Sequence, residues 1–215
     1  MLKSEFISYI ASDVSDLVSG GNYELLINKL MNNSNTVFQS NYHHIDKQDK
    51  GEPDFIDDVF GDKFDAKLIL SSEQGKDLCS RNKDIEDYSE WIVKINNELY
   101  DCVADSYNHK IEDTIIYQLF TRLINKIKDD ENLIVLFTYP FMNIYKDSIT
   151  DTLCDYMDIL YSSLKKYFVT RKLYVIYPTM DNYITLRRMD TNTKEYLRSN
   201  EFESYFSVIS NRIIR

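Results

Sequence analysis

The sequence predicts a mixed α/β domain: a mixed central sheet with a β-hairpin and a parallel crossover, flanked by helices. Three observations carry this. Leu133–Tyr139 (LIVLFTY) and Leu173–Tyr177 (LYVIY) are near-continuous apolar runs, each followed by proline, as strands buried on both faces require. Between them Ile149, Leu153, Tyr156, Leu160 and Leu164 recur at helical spacing. Strand, helix and strand in that order imply a right-handed parallel crossover. Upstream, Phe55–Phe60 and Lys63–Leu70 read as two strands turning at Gly61-Asp62.

The remaining elements follow in chain order. Phe6, Ile7, Ile10, Val14, Leu17 and Val18 mark an amphipathic helix that Gly20-Gly21 stops. Tyr23–Met31 is a second helical run, with Leu25, Leu26, Ile27 and Leu30. Asn32–Lys50 is polar and short of large aliphatic residues, the composition of an irregular or disordered segment. Ser80–Val103 presents Ile85, Tyr88, Ile92, Ile95, Leu99 and Val103 on one helical face. His109–Asp129 repeats the pattern with Ile111, Ile115, Leu119, Leu123 and Ile127. The crossover helix runs over Asp147–Phe168, Asn182–Leu186 reads as a short edge strand, and Thr193–Ile214 as a helix interrupted near Ser199. A chain of 215 residues fits one domain, with residues 140–215 as a C-terminal extension.

Composition narrows the class. Hydrophobic residues make up 43%, enough for a packed core. Cys79, Cys102 and Cys154 are odd in number, far apart and without a CxxC pair, so neither a disulfide framework nor a zinc ribbon is expected. Buried free thiols in a reducing compartment are the reading they favour. Neither a secretory signal nor an apolar span of membrane length is recognisable, and the expected location is cytoplasmic, with no membrane partner.

The net charge of −10 disfavours a polyanionic partner for the body of the chain. The distribution is uneven, however. Residues 1–164 carry 15 basic against 30 acidic side chains, and residues 165–215 carry 10 basic against 5 acidic. Arg187, Arg188, Lys194 and Arg198 form the densest basic patch, with Lys165-Lys166 and Arg171-Lys172 upstream. Such a patch can meet phosphates locally, or simply be a solvated basic face.

The chemistry concentrates in GEPDFIDDVFGDKFDAKLIL, Gly51–Leu70. Along a KFDAKLIL strand, Phe64, Ala66, Leu68 and Leu70 share one face, and Asp65, Lys67 and Ile69 the other. Register decides which acid faces Asp65. A two-residue turn at Gly61-Asp62 sets Asp58 opposite it, and leaves Asp54 about 13 Å out of step. A four-residue loop, Asp58–Gly61, sets Asp54 opposite it instead. Opposed carboxylates repel, and a divalent cation resolves the conflict. Mg²⁺ takes oxygen ligands, usually one or two carboxylates, and keeps several waters. It can polarise a phosphate and assist an attacking water, while a neighbouring ammonium stabilises charge developing on phosphorus.

Pro53-Asp54, ten residues, then Asp65-Ala66-Lys67 resembles the PD-(D/E)xK motif of the restriction-endonuclease-like nuclease superfamily. The resemblance implies that Asp54 and Asp65 bind Mg²⁺ (or Mn²⁺) and that Lys67 serves the water. Many members add an acid from an upstream helix; Glu24 is the best match here and Glu5 a second. Gln74 or Lys76 matches a polar residue that some subfamilies carry after the lysine strand. The family core of helix, hairpin-rich strands, helix and strand is compatible with residues 21–139. The implied activity is Mg²⁺-dependent DNA endonuclease chemistry in restriction, phage defence or a mobile element. Its implied partner is DNA, with a homodimer or a partner protein subunit as the arrangements that cutting both strands calls for.

Other signals are weaker. His43-His44 beside Asp46 reads as surface loop, because adjacent histidines do not easily reach one ion. His109 reads as a helix boundary and Trp91 as core packing. No phosphate-cradling glycine loop and no GxSxG elbow occurs. The competing class is a non-enzymatic protein-interaction module, on an inactive nuclease-like or an unrelated α/β fold, which the overall acidity favours.

Overall fold

A computed structural model describes residues 22–45, 52–69, 97–98, 100–105, 107–137, 149–179 and 183–198. The helix expected over Phe6–Val18, Glu5, Gln74, Lys76, Trp91 and most of the helix expected over Ser80–Val103 lie outside these residues.

The first helix, α1 (Asn22–Asn33), buries Leu26, Ile27, Leu30 and Met31, a stripe at helical spacing. Residues 34–45 are folded, where the polar composition of Asn32–Lys50 suggested otherwise. Phe38 is the reason. Its ring is buried and stacks on Tyr174 at 4.7 Å, edge-on to Tyr42 at 5.6 Å and Phe64 at 6.2 Å. One aromatic anchor outweighs the polar average of its neighbours. A short strand, β1 (Tyr42–His44), follows in place of the expected loop, with Tyr42 buried and His43 exposed.

The hairpin consists of β2 (Phe55–Asp57) and β3 (Lys63–Ile69), paired antiparallel as Phe55↔Phe64 and Ile56↔Lys63. Its first strand is shorter than Phe55–Phe60. The loop is the four-residue one: Asp57 N donates to Asp62 O and Gly61 N to Asp57 O, both at 2.9 Å. Two features set that length. Gly61 sits at φ 72, the left-handed region. The Asp57 carboxylate gathers Ser40 Oγ, Val59 N and Phe60 N at 2.7, 2.7 and 3.0 Å.

The expected crossover is present as the parallel pairing of the fourth and fifth strands, and a second parallel pairing precedes it. β4 (Glu131–Phe137) runs parallel to β3 and to β5 (Leu173–Thr179), and every residue of β4 is buried. The β3–β4 connection carries a 3₁₀ turn (Ile111–Asp113) and α2 (Ile115–Ile124), rather than one continuous helix over His109–Asp129. Thr114 divides them: its side chain caps Tyr117 N at 3.3 Å and meets the Tyr156 hydroxyl at 2.9 Å. The β4–β5 connection carries α3 (Ile149–Leu164) and a 3₁₀ turn (Lys165–Tyr167).

The C-terminal region departs further from expectation. β5 continues through Pro178, which pairs with Ile184. β6 (Tyr183–Arg188) is an interior strand, because β7 (Thr193–Arg198) pairs outside it. A helix was expected at Thr193. The good helix formers Lys194, Glu195 and Leu197 are overridden by the ladder that β6 offers and by a turn in which Asn192 takes φ 54. The seven strands among the described residues form one sheet in the order β1-β2-β3-β4-β5-β6-β7, so β5–β7 belong to the same sheet as the hairpin.

The N-terminal segment also grips the far edge. Ser34 Oγ and the amides of Asn35, Thr36 and Val37 all donate to the Glu195 carboxylate, at 2.5, 2.8, 3.0 and 3.1 Å. Burial opposes ionisation of Glu195, but these donors outweigh it and lower its pKa. Among the described residues, no helix is long and apolar enough to cross a membrane.

Candidate active site

The register of the hairpin brings Asp54 against Asp65. Pro53 has no amide to give, and β2 stops pairing beside it. Asp54 N donates to Phe64 O at 2.9 Å, while Asp54 O accepts from Ile45 N at 3.0 Å, so its backbone bridges β1 and β3. The next available amide of β3, Ala66 N, has no β2 carbonyl opposite. It donates instead to Asp54 Oδ2 at 2.5 Å. A backbone partner is thus replaced by a carboxylate, and Asp54 is fixed on the flank of β3.

Lys67 completes the group. Its ammonium bonds the Asp65 carboxylate, donates to Ala66 O at 3.1 Å and stands 3.8 Å from Asp54 Oδ2. The Asp54 and Asp65 side chains are only 6% and 11% exposed, and Lys67 is 26% exposed, so the ammonium end is the more open side. Burial first, then the hydrogen bond to Asp54, push the Asp65 pKa up to about 7; Lys67 opposes both. Two carboxylates and one ammonium leave an excess negative charge in a poorly hydrated place. Below that raised pKa, a proton on Asp65 relieves it.

Glu24 lies in the first turn of α1. Glu24 Oε2 accepts from His44 Nε2 at 2.8 Å, with both side chains mostly buried. Tyr23 hydrogen-bonds Glu24. Burial, then Glu24, then Asp54 and Asp65 hold its phenol well above its ordinary pKa, so it remains a donor. Asp58, the other acid that sequence could have set against Asp65, lies in the exposed turn and meets His43 Nδ1 at 2.5 Å.

The donor set fits a hard divalent cation of the Mg²⁺ type. Asp54 and Asp65 supply hard oxygens from adjacent strands, and their mutual repulsion is what such an ion neutralises. Among the described residues, no three His, Cys, Asp or Glu groups are arranged to hold an ion. Glu24 is engaged by His44 and Tyr23 and forms no such three-acid group with the pair. Two protein carboxylates with water and substrate oxygens are an ordinary Mg²⁺ shell.

The basic patch is redistributed by the fold. Arg187 is fully buried; its guanidinium bonds Asp158 on α3 and Asn192 Oδ1, the latter at 2.7 Å from Nη2. It is an internal tether and offers no surface to a phosphate. Arg188 forks onto Asp190 at 2.6 and 2.7 Å. Lys194 and Arg198 lie on β7, and Arg198 is exposed. Upstream, Arg171 is buried and donates to Tyr167 O and Lys128 O at 3.0 and 2.9 Å.

Sequence reasoning weighed His44 and set it aside, and gave Tyr23 no role. Tyr23 is adjacent to Glu24, which gave it a position but no role. His44 was set aside with His43 because a loop was expected; on a strand, adjacent residues point to opposite sides, and the two histidines separate to different acids.

Comparison with protein-family models, with curated proteins and with solved structures finds no match. The class of the protein therefore rests on the geometry: a mixed α/β chain with a buried acid pair and a lysine on adjoining strands of one sheet.

Proposed function

We propose that the protein is a Mg²⁺-dependent DNA endonuclease of the restriction-endonuclease-like type, hydrolysing phosphodiester bonds in a restriction or phage-defence setting. One observation carries the reading. Asp54, Asp65 and Lys67, the three motif residues, converge at the hairpin, with Asp54 clipped to the Ala66 amide between the other two.

A bound divalent cation would supply charge neutralisation at the phosphate and activation of water. The chain's own residues do the rest. Asp54 and Asp65 are the oxygen donors that would hold it. Lys67, on the open side of the pair, is the group that orients a water and stabilises charge on a pentavalent phosphorus. Tyr23, whose phenol lies in the field of the pair, bounds the site on the helix side. Lys194 and Arg198 on the outer strand remain available to backbone phosphates.

A second reading, a non-enzymatic protein-interaction module, is favoured by the net charge of −10 and by the withdrawal of Arg187 into the core. Cleavage of supercoiled DNA in Mg²⁺ or Mn²⁺, with EDTA as control, separates the two. Metal-dependent nicking or linearisation supports the nuclease. Intact DNA and RNA under all conditions supports the module.

A further inference from the structure

The stretch TKEYLR, Thr193–Arg198, carries two cations, one acid and one tyrosine. Folded as β7, it sorts them onto two faces, because successive side chains of a strand point to opposite sides. Glu195 takes the face toward the N-terminal segment, where Ser34 Oγ and the amides of Asn35, Thr36 and Val37 hold its carboxylate. Leu197 shares that face and packs against the core. Lys194, Tyr196 and Arg198 are left on the other. The acid is withdrawn, and an aromatic ring stands between two cations.

This face is open. β7 is the last strand of the sheet among the described residues. Tyr196 is 60% exposed, and Arg198 is exposed as well. Lys63, Lys172 and Arg188 are each paired with an aspartate, whereas Lys194 and Arg198 have no carboxylate partner among the described residues. Charges on an edge strand also deter pairing between chains, but that role calls for no exposed ring between them.

The strand register relates this face to the acid pair. Lys67↔Val135, Val135↔Val175, Val175↔Arg187 and Arg187↔Lys194 form one row across the sheet. Paired residues project from the same side of a sheet, so Lys67 and Lys194 rise from one face, about 19 Å apart at about 4.8 Å per strand. Between them α3 meets the row, where Asp158 bonds Arg187. The β7 face thus opens at the far edge of the sheet, on the side that carries Asp65 and Lys67.

We propose that Lys194, Tyr196 and Arg198 form a binding face for single-stranded nucleic acid, with Tyr196 stacking on an unpaired base and the two cations taking the flanking phosphates. A ring on an edge strand stacks only on a base whose own face is uncovered, which a closed duplex does not offer. Strand alternation sets the ring about 7 Å from the cation on either side along the chain. An aromatic platform in a basic setting binds single strands with little regard to sequence. The inference rests on nucleic acid as the partner in the proposed function, and it narrows that partner to one with an unpaired segment.

Fluorescence anisotropy of a labelled oligothymidylate of about 16 nucleotides, and of a blunt duplex of equal length, tests this in EDTA, where no metal-dependent cutting interferes. The variants are Y196A, Y196F, K194A and R198A, each checked for the wild-type melting transition. The expected result is single-strand binding that Y196A weakens by about 5–150-fold, the equivalent of one base stack. Y196F keeps the ring and should bind as the wild type does. K194A and R198A should each flatten the logarithmic salt dependence by about 0.7. Duplex binding should not respond to Y196A. Single-strand binding indifferent to Tyr196 overturns this inference and leaves DNA as the partner. A loss that Y196F shares with Y196A, or equal weakening on the duplex, also overturns it. A chain that binds neither probe but cuts plasmid in Mg²⁺ overturns this inference alone. One that binds neither and cuts nothing overturns the proposed function with it.

Discussion

Asp54 Oδ2 and Lys67 Nζ lie 3.8 Å apart across the splayed end of the hairpin, joined through the Ala66 amide that Asp54 holds at 2.5 Å. The contact exists because the loop before β3 has four residues. A two-residue turn would have brought Asp58 to this place.

The raised pKa of Asp65 sets a pH dependence. Asp65 stands at about 7 in the fold against an ordinary 3.8. Its folded pKa is raised, so between these values the native chain keeps a proton that the unfolded chain has lost. Its contribution is fully present below the lower value and disappears as pH rises through the higher one. The slope is at most about 1.4 kcal/mol per pH unit. Asp65→Asn removes the group, and urea unfolding followed from about pH 5 to about pH 8 should show a flatter profile for the variant. Parallel profiles would argue against a raised Asp65 pKa.

Lys67 opposes the upward shift of Asp65 through its charge and its hydrogen bond. Lys67→Ala should therefore move the Asp65 carboxyl still higher. Carboxyl-detected NMR titration reads this directly. An unchanged or lowered midpoint would mean that the ammonium does not sit on the pair in solution.

The grip on Glu195 predicts a stability effect far from the site. Glu195→Ala abandons one hydroxyl and three amides that donate to one carboxylate. Loss of hydrogen bonds to a charged group costs about 1.5–3 kcal/mol. The folded pKa of Glu195 is lowered, so its contribution is present above its ordinary value of 4.5 and fades as pH falls through the lower folded value. Denaturant melts of wild type and variant should converge in acid. A neutral-pH difference below about 0.5 kcal/mol would make the contact incidental.

Arg187 and Arg198 should behave oppositely. Arg187→Ala empties a fully buried position and should destabilise by on the order of 2–4 kcal/mol. Arg198→Ala leaves an exposed edge position and should leave stability unchanged, while lowering the salt dependence of DNA binding by about one phosphate contact. Thermal melts together with binding isotherms at several salt concentrations check both. A stable Arg187→Ala chain with weakened DNA binding would return Arg187 to the surface.

Much of this fold was legible because its central strands are simple. β4 and β5 are apolar on both faces, and no helix pattern competes with such runs. The pairing of Asp54 with Asp65 was legible as one of two registers, since period-two alternation fixes faces but only the loop length fixes opposition. That length depended on Asp57 collecting the turn amides, a local contact that composition does not reveal. β1 was hidden because three residues are too few to show a period, and its anchor, Phe38, lies outside it. β7 was hidden because Lys194, Glu195 and Leu197 favour helix until a neighbouring strand supplies a ladder. The basic patch misled for a related reason: strand alternation sent Arg187 inward to Asp158, and a count of charges along the chain carries no sense of direction.

The central claim is that Asp54, Asp65 and Lys67 act as one hydrolytic centre. The most direct measurement is cleavage of supercoiled plasmid by wild type, Asp54→Asn, Asp65→Asn and Lys67→Ala in Mg²⁺ or Mn²⁺, with EDTA controls. The account predicts metal-dependent nicking or linearisation by the wild type and its loss in all three variants, each still folded. Wild-type cleavage that survives Lys67→Ala or Asp54→Asn, or a folded wild type that cuts no nucleic acid with either metal, would contradict it.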